Sequence, residues 1–322
     1  MDESSQVGRE AQIVEHAPER APLAPSVVDP VVANRALSGP VPNQALDWHD
    51  LTFPRLPERE SEVASRSRLE RAARRAVRAF VDANRMASHR LDLACEARFG
   101  RVDGSMNFHT HLDRALRPGS RVVDLGGGKH PAISAETKAR LGLHVVGVDV
   151  SSEELRLAPA GAYDRKVIAD ATRFSEPASA DLVIAQALAE HVRDTSELWH
   201  RIHECLVPGG RALVFIPNGR AIFARLNRIL PEDAKRWLLY RLYPGAVHYQ
   251  GFPAYYDRCS PSETLRLLAS IGFREIVLQP YYSSNYFSFF YPAHALEVAL
   301  QVSAKALDQD DRCESFVVEA VK

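Results

Sequence analysis

The stretch of the chain best suited to chemistry is Val122-Val123-Asp124-Leu125 followed by Gly126-Gly127-Gly128. An apolar run that ends in glycines lets the chain turn sharply and lets a ligand approach bare backbone. Dinucleotide and phosphate loops use the same device, so the neighbouring residues decide what is bound. Asp124 stands two residues ahead of the first glycine. A carboxylate there would repel a pyrophosphate, and it suits a ligand carrying an ammonium and a sulfonium. The spacing is not GxGxxG, because Pro131 lies three residues after Gly128. The phosphate-loop pattern GxxxxGK[ST] is also missing, since Lys129 is followed by His130.

Further acids follow at the ends of apolar runs. Val145-Val146-Gly147-Val148 ends in Asp149, 23 residues after Gly126. A carboxylate in that place can accept both hydroxyls of a ribose. Val167-Ile168-Ala169 leads to Asp170 and Ala171, where an acid can meet an adenine amine. Asp181 to Ala185 runs into Gln186-Ala187-Leu188-Ala189-Glu190-His191. Glu190 and His191 are the candidate bases for a hydroxyl acceptor, which must lose its proton in or near the transition state. The alternative is that Glu190 orders a loop and His191 only shapes the pocket. His130 is a second candidate base. His109 and His111 invite a metal reading, but residues at i and i+2 diverge on a strand or a helix, so no metal site is expected.

These groups need a scaffold. Five apolar runs, at Val122, Val145, Val167, Leu182 and Ala212, alternate with helix-like stretches such as DTSELWHRIHECL. That alternation reads as α/β, a parallel sheet with helices on both faces and ligands at its carboxyl edge. SPSETLRLLASIGF reads as a helix capped by Ser260 and ended by Gly272, followed by strands in REIVLQPYY and CESFVVEAVK. Residues 1–60 hold eight of the twenty prolines and read as a disordered tail, with a short docking segment around Trp48 as the alternative. Residues 61–104 read as a helical extension with Leu69, Ala73, Val77 and Phe80 on one stripe and arginines on the other faces.

In this order the segments resemble the class I S-adenosylmethionine-dependent methyltransferases, in the small-molecule group similar to methyltransferase type 11 domains. The match is best over residues 105–220. The resemblance implies a Rossmann-like seven-stranded sheet whose last two strands form an antiparallel hairpin, within a catalytic domain over 105–322. It implies that the cofactor is S-adenosyl-L-methionine. Gly126, Gly127 and Gly128, with Asp124, would then take the methionine part, Asp149 and Val150 the ribose, and Asp170 with Ala171 the adenine. Gln186 and Leu188 would border the methyl group. Family members often carry a third glycine where this chain has His130.

An insertion over about 219–257, with Ile222, Phe223, Leu226 and Ile229 at helical spacing and arginines between them, reads as a lid over the carboxyl edge. Nine of the ten tyrosines follow residue 239, and seven aromatics crowd positions 281–291. Aromatic rings that also hydrogen-bond suit a small-molecule or glycan acceptor, lipid-linked acceptors included. The same surface also reads as a hydrophobic interface within the chain or in a homodimer, or as a weak peripheral membrane contact. A net charge of −1 argues against a nucleic-acid partner, and four scattered cysteines argue against a disulfide or zinc scaffold. With no apolar run of membrane-spanning length and a polar, acidic N-terminus, the chain reads as cytoplasmic. The excess of 34 arginines over 6 lysines reads as the mark of a GC-rich bacterial genome. The leading expectation is O-methylation. The alternatives are a scaffold that binds the cofactor without turnover and, third, a nicotinamide oxidoreductase.

Overall fold

Strands that are apolar on both faces need cover on both sides, and the chain supplies it. The computed structural model describes residues 12–13, 68–229 and 253–322. Seven strands form the body of one mixed sheet, which the short edge strand Gln12–Ile13 extends to eight: β1 (Arg121–Leu125), β2 (His144–Asp149), β3 (Arg165–Ile168), β4 (Ala180–Gln186), β5 (Leu206–Pro217), β6 (Arg274–Tyr281) and β7 (Ser315–Val321). Their order is β3-β2-β1-β4-β5-β7-β6. The first five run parallel, and β7 lies antiparallel between β5 and β6. The order in which successive strands are laid down reverses between β1 and β4, which opens a crevice at their carboxyl ends.

Strand register aligns the alternation. Val122, Val145, Leu182, Leu213 and Val317 point to one face, beneath Phe108 and Leu112. Val123, Val146, Val183, Val214 and Val318 point to the other, against Leu198, Trp199, Ile202 and Leu268. Trp199 is fully buried. The helices are α1 (Arg68–Phe99), α2 (Gly104–Ala115), α3 (Ala135–Leu141), α4 (Ser152–Leu157), α5 (Thr195–Cys205), α6 (Ile222–Ile229), α7 (Pro261–Ile271) and α8 (Tyr291–Ala306).

Several elements differ from the sequence expectation. Gln12–Ile13 pairs antiparallel with Ile168 and Val167 on the outer edge of β3. The remainder of the expected tail lies outside the described residues, as do the segment around Trp48 and residues 230–252 of the expected lid. Ser260 holds the N-cap position of α7, but its hydroxyl donates to the Glu263 carboxylate instead of accepting a backbone amide. Strand β3 stops at Ile168, so Asp170 and Ala171 sit on the turn beyond it. Two helices had no sequence signal strong enough to read. One is α2, capped by Asp103 through the amides of Ser105 and Met106. The other is α8, which separates β6 from β7, so the antiparallel pair is not a tight hairpin.

Helix α8 lies along α1. Asn84 Oδ1 accepts from the Tyr291 amide at 2.8 Å, and Lys305 Nζ donates to the Phe99 and Gly100 carbonyls at 2.8 and 2.6 Å. Between the helices Arg101 Nη1 meets Asp92 at 2.6 Å, and His294 Nε2 meets the same carboxylate at 3.0 Å. Burial would lower the His294 pKa, but hydrogen bonds to Asp92 and Glu297 outweigh it and raise the ring to about 9.

Candidate active site

The chain leaves β1 through the glycine turn. Gly126 and Gly128 have φ of +74° and +46°, a region that glycine enters without steric cost. A Cβ on Gly128 would stand 2.9 Å from Asp149 Oδ2, and one on Gly126 would stand 3.0 Å from Leu188 Cδ1. The turn therefore touches the ends of both β2 and β4 with bare backbone. His130 closes it, donating its amide to the Gly127 carbonyl at 2.8 Å. His130 is absent from the described non-glycine residues with positive φ, so the turn does not require a third glycine there.

Asp124 departs from its expected part. Its carboxylate is buried behind the turn, where Oδ2 accepts from the Ala132 amide and the Tyr163 hydroxyl, each at 3.2 Å. Burial pushes its pKa up to about 6, against the pull of those two donors. It braces the turn from below and does not present an open face to an ammonium. Tyr163 was not singled out from the sequence. It is the tenth tyrosine, the single one ahead of residue 239, and that isolation was the available signal.

Asp149 ends β2 half-buried, with Oδ1 accepting from the Ser151 amide at 2.8 Å and Oδ2 turned to Gly128. Burial raises its pKa. Val150 beside it is 62% exposed, an apolar side chain left open at the crevice. Asp170 is exposed, and its Oδ1 accepts from the Thr172 amide and hydroxyl at 2.9 and 2.7 Å, which fixes the turn that carries Ala171. Gln186 ends β4, and the strained Ala187, with φ of +53°, swings Leu188 against Gly126.

A one-turn 3-10 helix, Ala189–His191, follows. His191 Nδ1 lies 3.0 Å from the Pro253 carbonyl, and Nε2 lies 3.7 Å from Glu190 Oε1. Glu190 is 4% exposed, its Oε2 has no hydrogen-bond partner, and burial pushes its pKa up to about 8. Its backbone carbonyl accepts from the amides of Tyr255 and Tyr256 at 2.7 and 3.1 Å. The segment that carries Tyr255 and Tyr256 is thereby pinned to the turn after β4.

The aromatic segment divides. Tyr281 and Tyr282 are core residues: Tyr281 meets His111 Nε2 at 2.7 Å, and Tyr282 donates to Asp310 at 2.9 Å. His111 Nδ1 lies 2.7 Å from Glu319, so both ring nitrogens serve the packing of α2 on the sheet. Among the described residues no group of three His, Cys, Asp or Glu side chains could hold a metal ion. Tyr286 instead stacks on Phe223 of α6, with centroids 3.6 Å apart and planes 3° from parallel. A cavity of about 80 Å³ is lined by Arg211, Val277, Glu319 and Val321 and by none of the candidate cofactor or catalytic residues.

A seven-stranded sheet in this order, with bare glycines at the switch point and Asp149 at the end of the neighbouring β2, defines a class I methyltransferase. The residues fit S-adenosylmethionine as its cofactor: a side chain at Gly128 would fill the space beside Asp149, and Asp149 keeps Oδ2 for a diol. The chain belongs to the methyltransferase-domain family, whose model matches residues 98–274. It is 30% identical over 161 residues to a ubiquinone biosynthesis O-methyltransferase of Cupriavidus pinatubonensis, covering 48% of this chain and 60% of that protein. A protein of the same name from Chelativorans sp. is 31% identical over 167 residues, covering 49% and 61%. The chain thus spans about three-fifths of the length of these curated relatives. Among solved structures, phosphoethanolamine N-methyltransferase 2 of Haemonchus contortus with S-adenosyl-L-methionine overlaps at a TM-score of 0.43 and 20% identity, covering 67% of this chain and 52% of that one.

Proposed function

We propose that the protein transfers a methyl group from S-adenosylmethionine to a hydroxyl of a small-molecule acceptor. The observation that carries this reading is the setting of His191, at the strand end whose Leu188 touches the glycine turn. Donation from Nδ1 to the Pro253 carbonyl, at 3.0 Å, fixes the proton on that nitrogen and leaves Nε2 to take another. Bound at the glycine turn, the cofactor supplies a methyl carbon activated by a sulfonium, which leaves as a neutral thioether when displaced. Asp149 and the turn hold the cofactor in place, and Leu188 limits its position from the β4 side. His191 Nε2 removes the acceptor's hydroxyl proton as the oxygen–carbon bond forms. Glu190 flanks the ring and, through its carbonyl, holds the Tyr255–Tyr256 segment over it.

The two relatives named as O-methyltransferases support a hydroxyl acceptor. Nothing among the described residues singles out a glycan or a lipid-linked acceptor. The test is methyl transfer from labelled cofactor to a cell extract and to a panel of hydroxyl compounds, with wild type and His191→Gln. Labelled ether product from wild type, cut by roughly 10²–10⁴ in the variant, is the expected result. Label on nitrogen, or no label in any fraction, contradicts it.

A further inference from the structure

A second carboxylate reaches the glycine turn beside Asp149. Glu154 belongs to the first turn of α4. A Cβ placed on Gly128 would stand 3.1 Å from the Glu154 Cβ, 3.5 Å from Glu154 Oε2 and 2.9 Å from Asp149 Oδ2. The two acids therefore flank one spot on bare, buried backbone. Their other oxygens are committed in parallel ways. Asp149 Oδ1 accepts from the Ser151 amide at 2.8 Å, and Glu154 Oε1 accepts from Lys129 Nζ at 3.0 Å. Each carboxylate so turns its second oxygen toward Gly128.

Two like charges facing one spot repel. Burial chiefly, with the Glu154 charge adding to it, raises the Asp149 pKa. Lys129 follows Gly128 in the chain and reaches across the turn to α4, so it neutralises one of the two acids and fixes its direction. A partly exposed ion pair of this kind contributes little to stability. What it sets is the placement of Glu154 Oε2. A further anion would be repelled there, whereas a neutral hydroxyl can donate its hydrogen to a carboxylate. The ribose of the cofactor carries two such hydroxyls on adjacent carbons.

We propose that the ribose diol is divided between the two acids: Asp149 Oδ2 accepts one hydroxyl and Glu154 Oε2 accepts the other. Glu154 is thus a cofactor-binding residue, and Lys129 is the residue that positions it. This rests on the glycine turn as the seat of S-adenosylmethionine.

Titration calorimetry on the full chain with S-adenosylhomocysteine and with its 2′-deoxy and 3′-deoxy forms tests the division. Wild type should bind each deoxy form at least about tenfold more weakly, because either one forfeits a hydrogen bond to a charged acceptor. Glu154→Ala, a substitution that suits a helix, should weaken S-adenosylhomocysteine about tenfold and bind one deoxy form as wild type does. Asp149→Ala should show the same indifference toward the other deoxy form. Lys129→Met should weaken S-adenosylhomocysteine roughly two- to fivefold, with blunted sensitivity to the hydroxyl assigned to Glu154. Unchanged binding in that variant overturns the part given to Lys129. Wild type that binds either deoxy form as tightly as S-adenosylhomocysteine overturns the division with no variant needed. So does a Glu154→Ala protein that loses sensitivity to the same hydroxyl as Asp149→Ala. Wild type that binds none of the three removes the cofactor site and the division with it. Tight binding by wild type, matched for all three ligands by Glu154→Ala, removes the division alone.

Discussion

At the residue scale, the account rests on groups whose substitution has separable effects. Gly128→Ala introduces a Cβ 2.9 Å from Asp149 Oδ2 at a φ of +46°. It should abolish measurable cofactor binding while leaving circular dichroism unchanged. His191→Gln should leave cofactor affinity within twofold and lower kcat by roughly 10²–10⁴. A variant that loses both together would place His191 in the fold and not in the chemistry. The glycines, Asp149, Glu190 and His191 could be read from the sequence because each lies within a few residues of a strand end, and strand ends are local signals. The role of Asp124 could not. Its partners are Ala132 and Tyr163, the latter 39 residues away, and a carboxylate's direction is set by whichever donors folding brings to it.

At the element scale, α1 and α8 are held together through Asp92, Arg101 and His294. His294 is raised from 6.5 to about 9 in the folded state. A group whose folded pKa is raised stabilises most below its unfolded value, and that contribution fades as pH climbs from 6.5 through about 9. Asp92 works in the other direction. Burial would raise its pKa, but His294 and Arg101 hold it below 3.8, so its contribution is lost only as pH falls below that value. Thermal unfolding of wild type should therefore show a falling Tm between pH 7 and 10 that His294→Gln flattens. Equal slopes in the two proteins would contradict the pairing. The strands were legible as apolar runs because both sheet faces are covered. Helix α8 was not, since its stretch begins with aromatics that resemble a pocket wall. Its helical state depends on contacts with α1 some 200 residues earlier in the chain.

At the scale of the whole molecule, the described residues form one mixed sheet with helices on both faces. The tyrosine skew, which suggested one aromatic wall, divides into core residues at Tyr281 and Tyr282 and a half-open ring at Tyr286 stacked on Phe223. No helix among the described residues is long and apolar enough to cross a membrane. A ligand that binds only the folded form stabilises it by about 2.7 kcal/mol at a hundredfold excess over Kd. For a domain of this size S-adenosylhomocysteine at that concentration should raise Tm by roughly 5–10 °C. NADH at the same concentration should leave it in place.

Calorimetric titration of S-adenosylhomocysteine into wild type and Asp149→Ala tests the cofactor site itself. Micromolar binding by wild type, weakened more than about tenfold in the variant by loss of the charged acceptor for the ribose, is the predicted result. Wild-type protein that binds nothing, or a variant that binds as tightly, would contradict the assignment of the glycine turn and Asp149 as the cradle of the methyl donor.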